Sequence, residues 1–298
     1  MRILHVDCGR EMRGGQWQAF HLIEGLRERG EQCALLARRR GLLFEKASAS
    51  GFRVEPVGLA SLRRWKGWGD VIHTHDGRGH ALAALSGLRP LVVSRRVAFP
   101  IRRGPGSKWK YARAGLFLAV SGFVRDRMLA AGIPDSKIRV VHDGVPERSV
   151  VEGGSQVVAP ASEDPQKGSA LLQQAARLAR VDITFSPELE RDLARAALFV
   201  YITRQEGLGS ALLLAMAAGV PVIASRVGGI PEAVEHEVTG LLTENEPESI
   251  AASIRRLLDH PALAATLARR GRERARREFG LPRMVEATLS AYREVAKP

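Results

Sequence analysis

Short apolar runs alternate with amphipathic stretches along nearly the whole chain. Residues 2–7 read as a strand, followed by a polar, Gly-containing loop. In the next stretch, 18–29, Ala19, Leu22, Ile23 and Leu26 fall on one helical face, with Gly30 as a stop. The pattern then predicts strands at 32–37, 53–57, 71–74, 90–94, 116–120 and 138–142, with helices at 43–50, 79–88 and 122–131. Around 146–155 it breaks into Gly, Ser and acidic residues. It resumes with strands at 156–160, 181–185, 198–202, 220–224 and 240–243, and helices at 168–179, 187–196, 210–218 and 230–235. Longer helices at 247–259, 261–277 and 282–296 close the chain. Such β-α alternation predicts parallel sheets covered by helices on both faces. The expectation is α/β, two Rossmann-like doubly wound domains facing across a cleft. Their bounds are 1–149 and 150–281, with a tail helix at 282–298 crossing back to the first.

Composition narrows the classes without naming one. At 298 residues and 45% hydrophobic, the chain can bury a sizeable core and is not disordered. The longest apolar run, 211–224, is shorter than a spanning helix needs and is interrupted by Gly219 and Pro221. With no leader-like opening, a cytoplasmic protein is expected. Two cysteines, Cys8 and Cys33, make no disulfide framework. The net charge of +13 is more informative, because Lys+Arg is 45 and only seven of these are Lys. It reflects either an Arg-rich composition or attraction to a polyanion.

Several loops carry candidate chemistry. Gly9-Arg-Glu-Met-Arg-Gly14-Gly15 joins the first strand to the first helix, where a ligand would meet free helix amides, but its glycines do not fit G-x-G-x-x-G. His73-Thr-His75-Asp76 ends a strand; two His at i, i+2 share a face, yet no third metal ligand is evident, so a polar strand end is expected and no metal. Arg95 and Arg96 end the next strand, as solvated cations or as partners for phosphate or carboxylate. Arg102, Arg103, Lys108, Lys110 and Arg113 interleave with Ile101, Trp109 and Tyr111, as on an interfacial segment facing anionic lipid or simply on a solvated face. The basic run 269–277 offers only a weak nucleic-acid stripe, and nucleic acid is not expected as a partner.

The sharpest constellation is Arg204-Gln-Glu206-Gly-Leu-Gly209-Ser-Ala-Leu-Leu-Leu214-Ala-Met-Ala-Ala-Gly219-Val-Pro221, followed by Ser225-Arg-Val-Gly228-Gly-Ile-Pro231-Glu232. A strand ends in an acid and a glycine turn whose amides open a helix, and a second Gly-Gly turn follows. That combination suits a diphosphate joined to a sugar. The stretch resembles the donor domain of group 1 (family 4) retaining glycosyltransferases of the GT-B fold. DVIHTHD, AVSGFVRDRM, IRVVHDGV, QKGSALLQQAARL and LDHPALAATLARRGRERARREF extend the resemblance over most of the chain.

The resemblance implies transfer of a sugar, with retention, from a nucleotide sugar to a lipid-linked or envelope glycan acceptor, at the inner face of the membrane and without a metal or other cofactor. Glu206 would match the first Glu of the family's Glu-x7-Glu motif and contact the donor sugar. Gly207, Leu208, Gly209 and Ser210 would hold sugar and distal phosphate, and Lys167 would neutralise the diphosphate. Gly14 and Gly15 would border donor and acceptor, Gly228, Gly229 and Glu232 would complete the donor cradle, and His75, Asp76 and Arg95 would line the acceptor side, while Arg96, where the family often has a cleft histidine, would join Glu206 and Lys167 as catalytic residues. Three departures stand out. The second motif Glu, expected at 214, is Leu; the 159–167 loop has no Arg beside Lys167; and one βα unit is missing after the Lys-Gly helix. The alternative is a glycosyltransferase-like scaffold that has lost turnover. Deleting that unit leaves an open edge beside strand 156–160, so the expected strand order is 181–185, 156–160, 198–202, 220–224, 240–243.

Overall fold

A computed structural model describes residues 1–101, 104–151 and 154–296. The chain divides into two compact units, Met1–Gly144 joined by the segment from Leu281 onward, and Val145–Gly280. The first is built from β1 (Arg2–Asp7), α1 (Gly14–Glu28), β2 (Gln32–Ala37), α2 (Leu42–Ala49), β3 (Arg53–Pro56), α3 (Leu59–Arg64), β4 (Val71–Thr74), α4 (Gly77–Ser86), β5 (Leu91–Arg95), α5 (Pro105–Ala112), β6 (Leu116–Ala119), α6 (Gly122–Ala130) and β7 (Ile138–Val140). Its parallel sheet has the order β3-β2-β1-β4-β5-β6-β7.

The second unit comprises β8 (Gln156–Pro160), α7 (Ser169–Ala179), β9 (Ile183–Ser186), α8 (Leu189–Leu193), β10 (Ala196–Tyr201), α9 (Ser210–Ala217), β11 (Val222–Ser225), α10 (Ile230–Ala233), β12 (Leu241–Thr243), α11 (Pro247–Asp259) and α12 (Pro261–Phe279). Its parallel sheet runs β12-β11-β10-β8-β9. This is the order expected from deleting one βα unit: β9 takes the vacant edge of β8, pairing Val157 with Ile183 and Ala159 with Phe185.

The last helix, α13 (Leu281–Val295), belongs to the first unit. Its Met284, Val285, Leu289 and Tyr292 pack on Ile3, Leu22, Leu26, Val71, Val92 and Leu116. The other face of α1 joins Leu35, Leu43 and Ala47 through Ala19, Phe20 and Ile23. Near-continuous burial of the central strands is what a sheet covered on both faces requires.

The structure departs from the sequence pattern in places. The first helix starts at Gly14 rather than 18, so Gly14 and Gly15 lie in its first turn. α3 and α5 are helices of six and eight residues that the periodicity did not announce, being too short to repeat. Among the described residues, no helix is long and apolar enough to cross a membrane.

Candidate functional site

In the second unit, the strand ends are fastened before any functional group is placed. Thr203 donates its N–H to Ser225 Oγ (2.9 Å), Ser225 donates to Asn245 Oδ1 (2.6 Å), and Asn245 Nδ2 returns to the Thr203 carbonyl (3.0 Å). This ring ties the segments leaving β10, β11 and β12. The loop carrying Lys167 is drawn in by Gln166, whose carbonyl accepts from Arg204 N (2.8 Å) and Thr203 Oγ1 (3.1 Å). Gly168 makes that approach feasible. Its φ is +68°, and a Cβ there would lie 2.7 Å from Ile202 Cγ2.

Glu206 sits at the centre. Its Oε2 accepts from Lys167 Nζ at 2.8 Å and from the Tyr201 hydroxyl at 2.5 Å, and its Oε1 accepts from Gly207 N at 2.9 Å. Tyr201 is buried, which together with the adjacent Glu206 charge holds its hydroxyl well above the usual phenol range. It stays a donor. The Gly228–Gly229 turn clasps the same acid from behind: Gly229 N donates to the Glu206 carbonyl (3.1 Å), and a Cβ at Gly228 would lie 2.2 Å from that oxygen. These glycines position Glu206 through its backbone.

α9 opens at Ser210 with Gly209 at φ +101° as its N-cap and no side chain capping it, so its first amides are open to an anion. Leu208 is buried and contributes to the site only by its backbone. Leu214 is half-buried on α9, and Glu232 is half-buried on α10.

In the first unit, the polar residues lie at the carboxyl edge of the sheet. Asp76 is the N-cap of α4, accepting from Arg78 N (2.7 Å) and Gly79 N (3.0 Å), and its second oxygen takes Cys8 N (2.6 Å). Its oxygens are thus spent on holding loops. Arg96 donates through Nε to Asp143 (2.8 Å), both largely buried, and approaches His75 Nδ1 at 3.5 Å. Arg95 bonds the Tyr111 hydroxyl (3.0 Å) and the Phe99 carbonyl, so it folds the 96–101 segment onto α5.

The sequence reading missed a third imidazole. His5 is in register with His73 on the adjacent strand, and the ligand atoms of His5, His73 and His75 lie within 4.8 Å of one another. They share a face because cross-strand partners and i, i+2 residues point the same way. The signal was present in MRILHV, but only the β1–β4 pairing shows it.

Five of the six ring nitrogens are engaged, and His5 Nε2 is buried with no partner among the described residues. His5 Nδ1 pairs with His75 Nε2 (3.0 Å), and His73 meets Tyr292 Oη (2.6 Å) and Ser94 Oγ (2.7 Å). Arg96 at His75 Nδ1 places a cation where metal binding would require a ring proton. The donor set therefore suits a neutral hydrogen-bonded relay better than a divalent ion. Burial pushes the His5 imidazole down to about 3 and those of His73 and His75 well below the usual range, which keeps all three neutral.

Comparison with known proteins bears on the whole arrangement. Residues 12–148 match the model described as Glycosyltransferase Family 4, and residues 153–260 match that described as Glycosyl transferases group 1. A D-inositol 3-phosphate glycosyltransferase of Saccharomonospora viridis is 37% identical over 142 residues, 45% of this chain and 33% of that one. An alpha-maltose-1-phosphate synthase of Mycobacterium tuberculosis is 36% identical over 115 residues, 36% of this chain and 30% of that one. The matches thus span about a third of these relatives' length. The crystal structure of Anabaena HepE in complex with UDP-glucose superposes with a TM-score of 0.87 at 18% identity, covering 99% of this chain and all of that one. It shares the GT-B fold of two parallel-sheet α/β domains. On these grounds the chain belongs to the group 1, family 4 glycosyltransferases.

Proposed function

We propose that the protein is a glycosyltransferase that moves a sugar, with retention of configuration, from a nucleoside diphosphate sugar to a lipid-linked or envelope glycan. The observation that carries this reading is the Lys167–Glu206 pair beside the uncapped N-terminus of α9. A cation and a row of free amides suit a diphosphate, and a carboxylate next to them suits sugar hydroxyls. On donor binding, Lys167 turns from Glu206 to the phosphate, freeing the carboxylate to accept from the sugar. When the bond from the anomeric carbon to phosphate oxygen breaks, its electron pair goes to the diphosphate. Lys167 and the helix N-terminus stabilise that charge, and the acceptor hydroxyl oxygen forms the new bond on the face the diphosphate leaves, its proton passing to the departing diphosphate oxygen. HepE bound to UDP-glucose supports a nucleotide-sugar donor.

The residues at the donor end do this with fixed charges and amides, so no cofactor is assigned. Arg96 is assigned to the acceptor side, held in place by Asp143 and followed by His75. Incubation with radiolabelled UDP-, GDP- and ADP-sugars should release nucleotide from one of them, and Lys167→Ala should abolish it. Release from none, with the protein folded, would favour the scaffold reading, for which Leu214 is the specific observation.

Attachment to the inner membrane face is assigned to residues 97–113. Val97, Phe99 and Trp109 are 46%, 55% and 41% exposed, and α5 buries none of its residues. Lys108 is exposed, Arg113 stacks on Trp109 at 4.4 Å, and Lys110 bonds the Gly77 carbonyl; Arg102 and Arg103 lie outside the described residues. Apolar tips beside cations suit an anionic lipid surface. Flotation with vesicles of 70% phosphatidylcholine and 30% phosphatidylglycerol should carry the protein at low salt, and Phe99→Ser/Trp109→Ser should leave it in solution. Equal flotation of the variant would remove the assignment.

A further inference from the structure

A second set of cations lies outside the 97–113 segment, meeting it only where Lys110 bonds the Gly77 carbonyl beside Arg78. Arg10 lies on the loop after β1, Arg38, Arg39 and Arg40 on the loop after β2, and Arg78 in the first turn of α4. Because β2, β1 and β4 are parallel neighbours, all three loops emerge at the same sheet edge, where open α/β sheets bind ligands. Arg38 is half-buried and the other four are exposed. Among the described residues, none of the five has a side-chain hydrogen bond or ion pair; Arg63, Arg177 and Arg270 share that property, and what distinguishes the five is their common sheet edge.

The loops are packed so as to gather these charges. Leu42 N donates to the Arg10 carbonyl (3.0 Å), and Gly41 N closes a turn onto the Arg38 carbonyl (2.9 Å). A Cβ at Gly41 would meet the Gly9 and Arg38 carbonyls, each at 3.0 Å, so only glycine lets the two loops approach this closely. Arg40 holds a positive φ of 60°, a conformation that costs free energy in a residue with a Cβ. Cys8 lies between the flanks, its thiol pushed up to about 12 by burial and by the Asp76 and Asp7 charges, with Arg78 and Arg38 near enough to oppose them. The acids nearby are committed elsewhere. Asp7 accepts from Gly9 N and Gln16, Asp76 caps α4, and Glu11 pairs with Arg13.

We propose that this rim, Arg10, Arg38, Arg39, Arg40 and Arg78, binds an anionic group, a phosphate or carboxylate, on the acceptor. Planar guanidinium forks take such groups in bidentate fashion. Several unpaired forks on neighbouring loops of one sheet edge offer such a group more than one partner. That the anion belongs to the acceptor rests on the transferase reading; that the rim binds an anion does not.

The test uses glucose 6-phosphate and glucose as probes, titrated calorimetrically into the full chain at 50 mM and 300 mM salt. The phosphate ester should bind, weakening at high salt, and glucose should not. Arg38→Gln/Arg39→Gln/Arg40→Gln, which removes charge but keeps chain length, should weaken binding at least tenfold. Lys167→Ala should leave it unchanged. Equal affinity of the triple variant and the parent would overturn the proposal. So would loss of binding in Lys167→Ala, which would place the phosphate at the donor end. Flotation on the same phosphatidylglycerol vesicles separates the lipid source: the triple variant should float like the parent, and loss of flotation with unchanged glucose 6-phosphate binding would assign the rim to lipid instead. Failure of donor turnover would leave each of these readouts intact.

Discussion

At the scale of single residues, the account turns on how few groups hold Glu206. One carboxylate oxygen receives both Lys167 and Tyr201, so Tyr201 is a positioning residue for the acid. A hydrogen bond to a charged group contributes roughly 1.5–3 kcal/mol. Tyr201→Phe should therefore lower kcat by about tenfold or more while KM for the donor stays within about twofold. Steady-state kinetics with the accepted nucleotide sugar checks this, and a rise in KM alone would show that Tyr201 serves binding instead. Leu214 is the complementary case. It stands where the family motif has its second acid, on a helix otherwise filled with Leu, Ala and Met. Leu214→Glu should tighten nucleotide binding about ten- to hundredfold by restoring a charged acceptor, equivalent to roughly 1.5–3 kcal/mol. Calorimetry with the nucleoside diphosphate measures it.

At the scale of elements, the glycine turns matter for what they exclude. Gly228 lies at φ +58° with the Glu206 carbonyl where its Cβ would be. Gly228→Ala should destabilise the second unit by roughly 1–3 kcal/mol and impair turnover by displacing Glu206; thermal unfolding and kinetics read the two effects separately. Much of this level was legible beforehand. The shortened stretch after QKGSALLQQAARL implied an open edge beside β8, and β9 fills it in the expected order. Glu206 and Lys167 lie 39 positions apart, yet the family resemblance named both, and the structure brings them to 2.8 Å. What escaped was whatever depends on lateral pairing. His5 meets His73 and His75 only because β1 lies beside β4, and Tyr292 reaches His73 only because α13 packs on the first unit. Arg95 and Asp76 also read as free cleft groups in sequence, but their local bonds to Phe99, Tyr111 and the α4 amides use them for folding.

At the scale of the whole molecule, each unit has its own buried core, and the first carries a built-in acid sensitivity. Its four buried imidazoles, His5, His73, His75 and His80, are neutral when folded, burial pushing His5 down to about 3 and His80 to about 4, but in the unfolded chain each titrates near 6.5. Between those values the unfolded state binds more protons, so stability is full above about pH 6.5 and falls as pH drops toward 3. Denaturant midpoints should be lower at pH 5 than at pH 7.5, and His5→Asn should flatten that dependence. An unchanged midpoint would mean that the rings are solvated and titrate normally.

The central claim is that the second unit holds a nucleoside diphosphate through Lys167 and the α9 amides. It is tested most directly by thermal unfolding with UDP, ADP, GDP and CMP in separate wells. A ligand present at 100 times its Kd adds about 2.7 kcal/mol to stability, which raises Tm by several degrees. One nucleoside diphosphate should stabilise the protein in this way, and Lys167→Ala should abolish the shift. No shift with any nucleotide, or a shift that survives Lys167→Ala, would contradict the account.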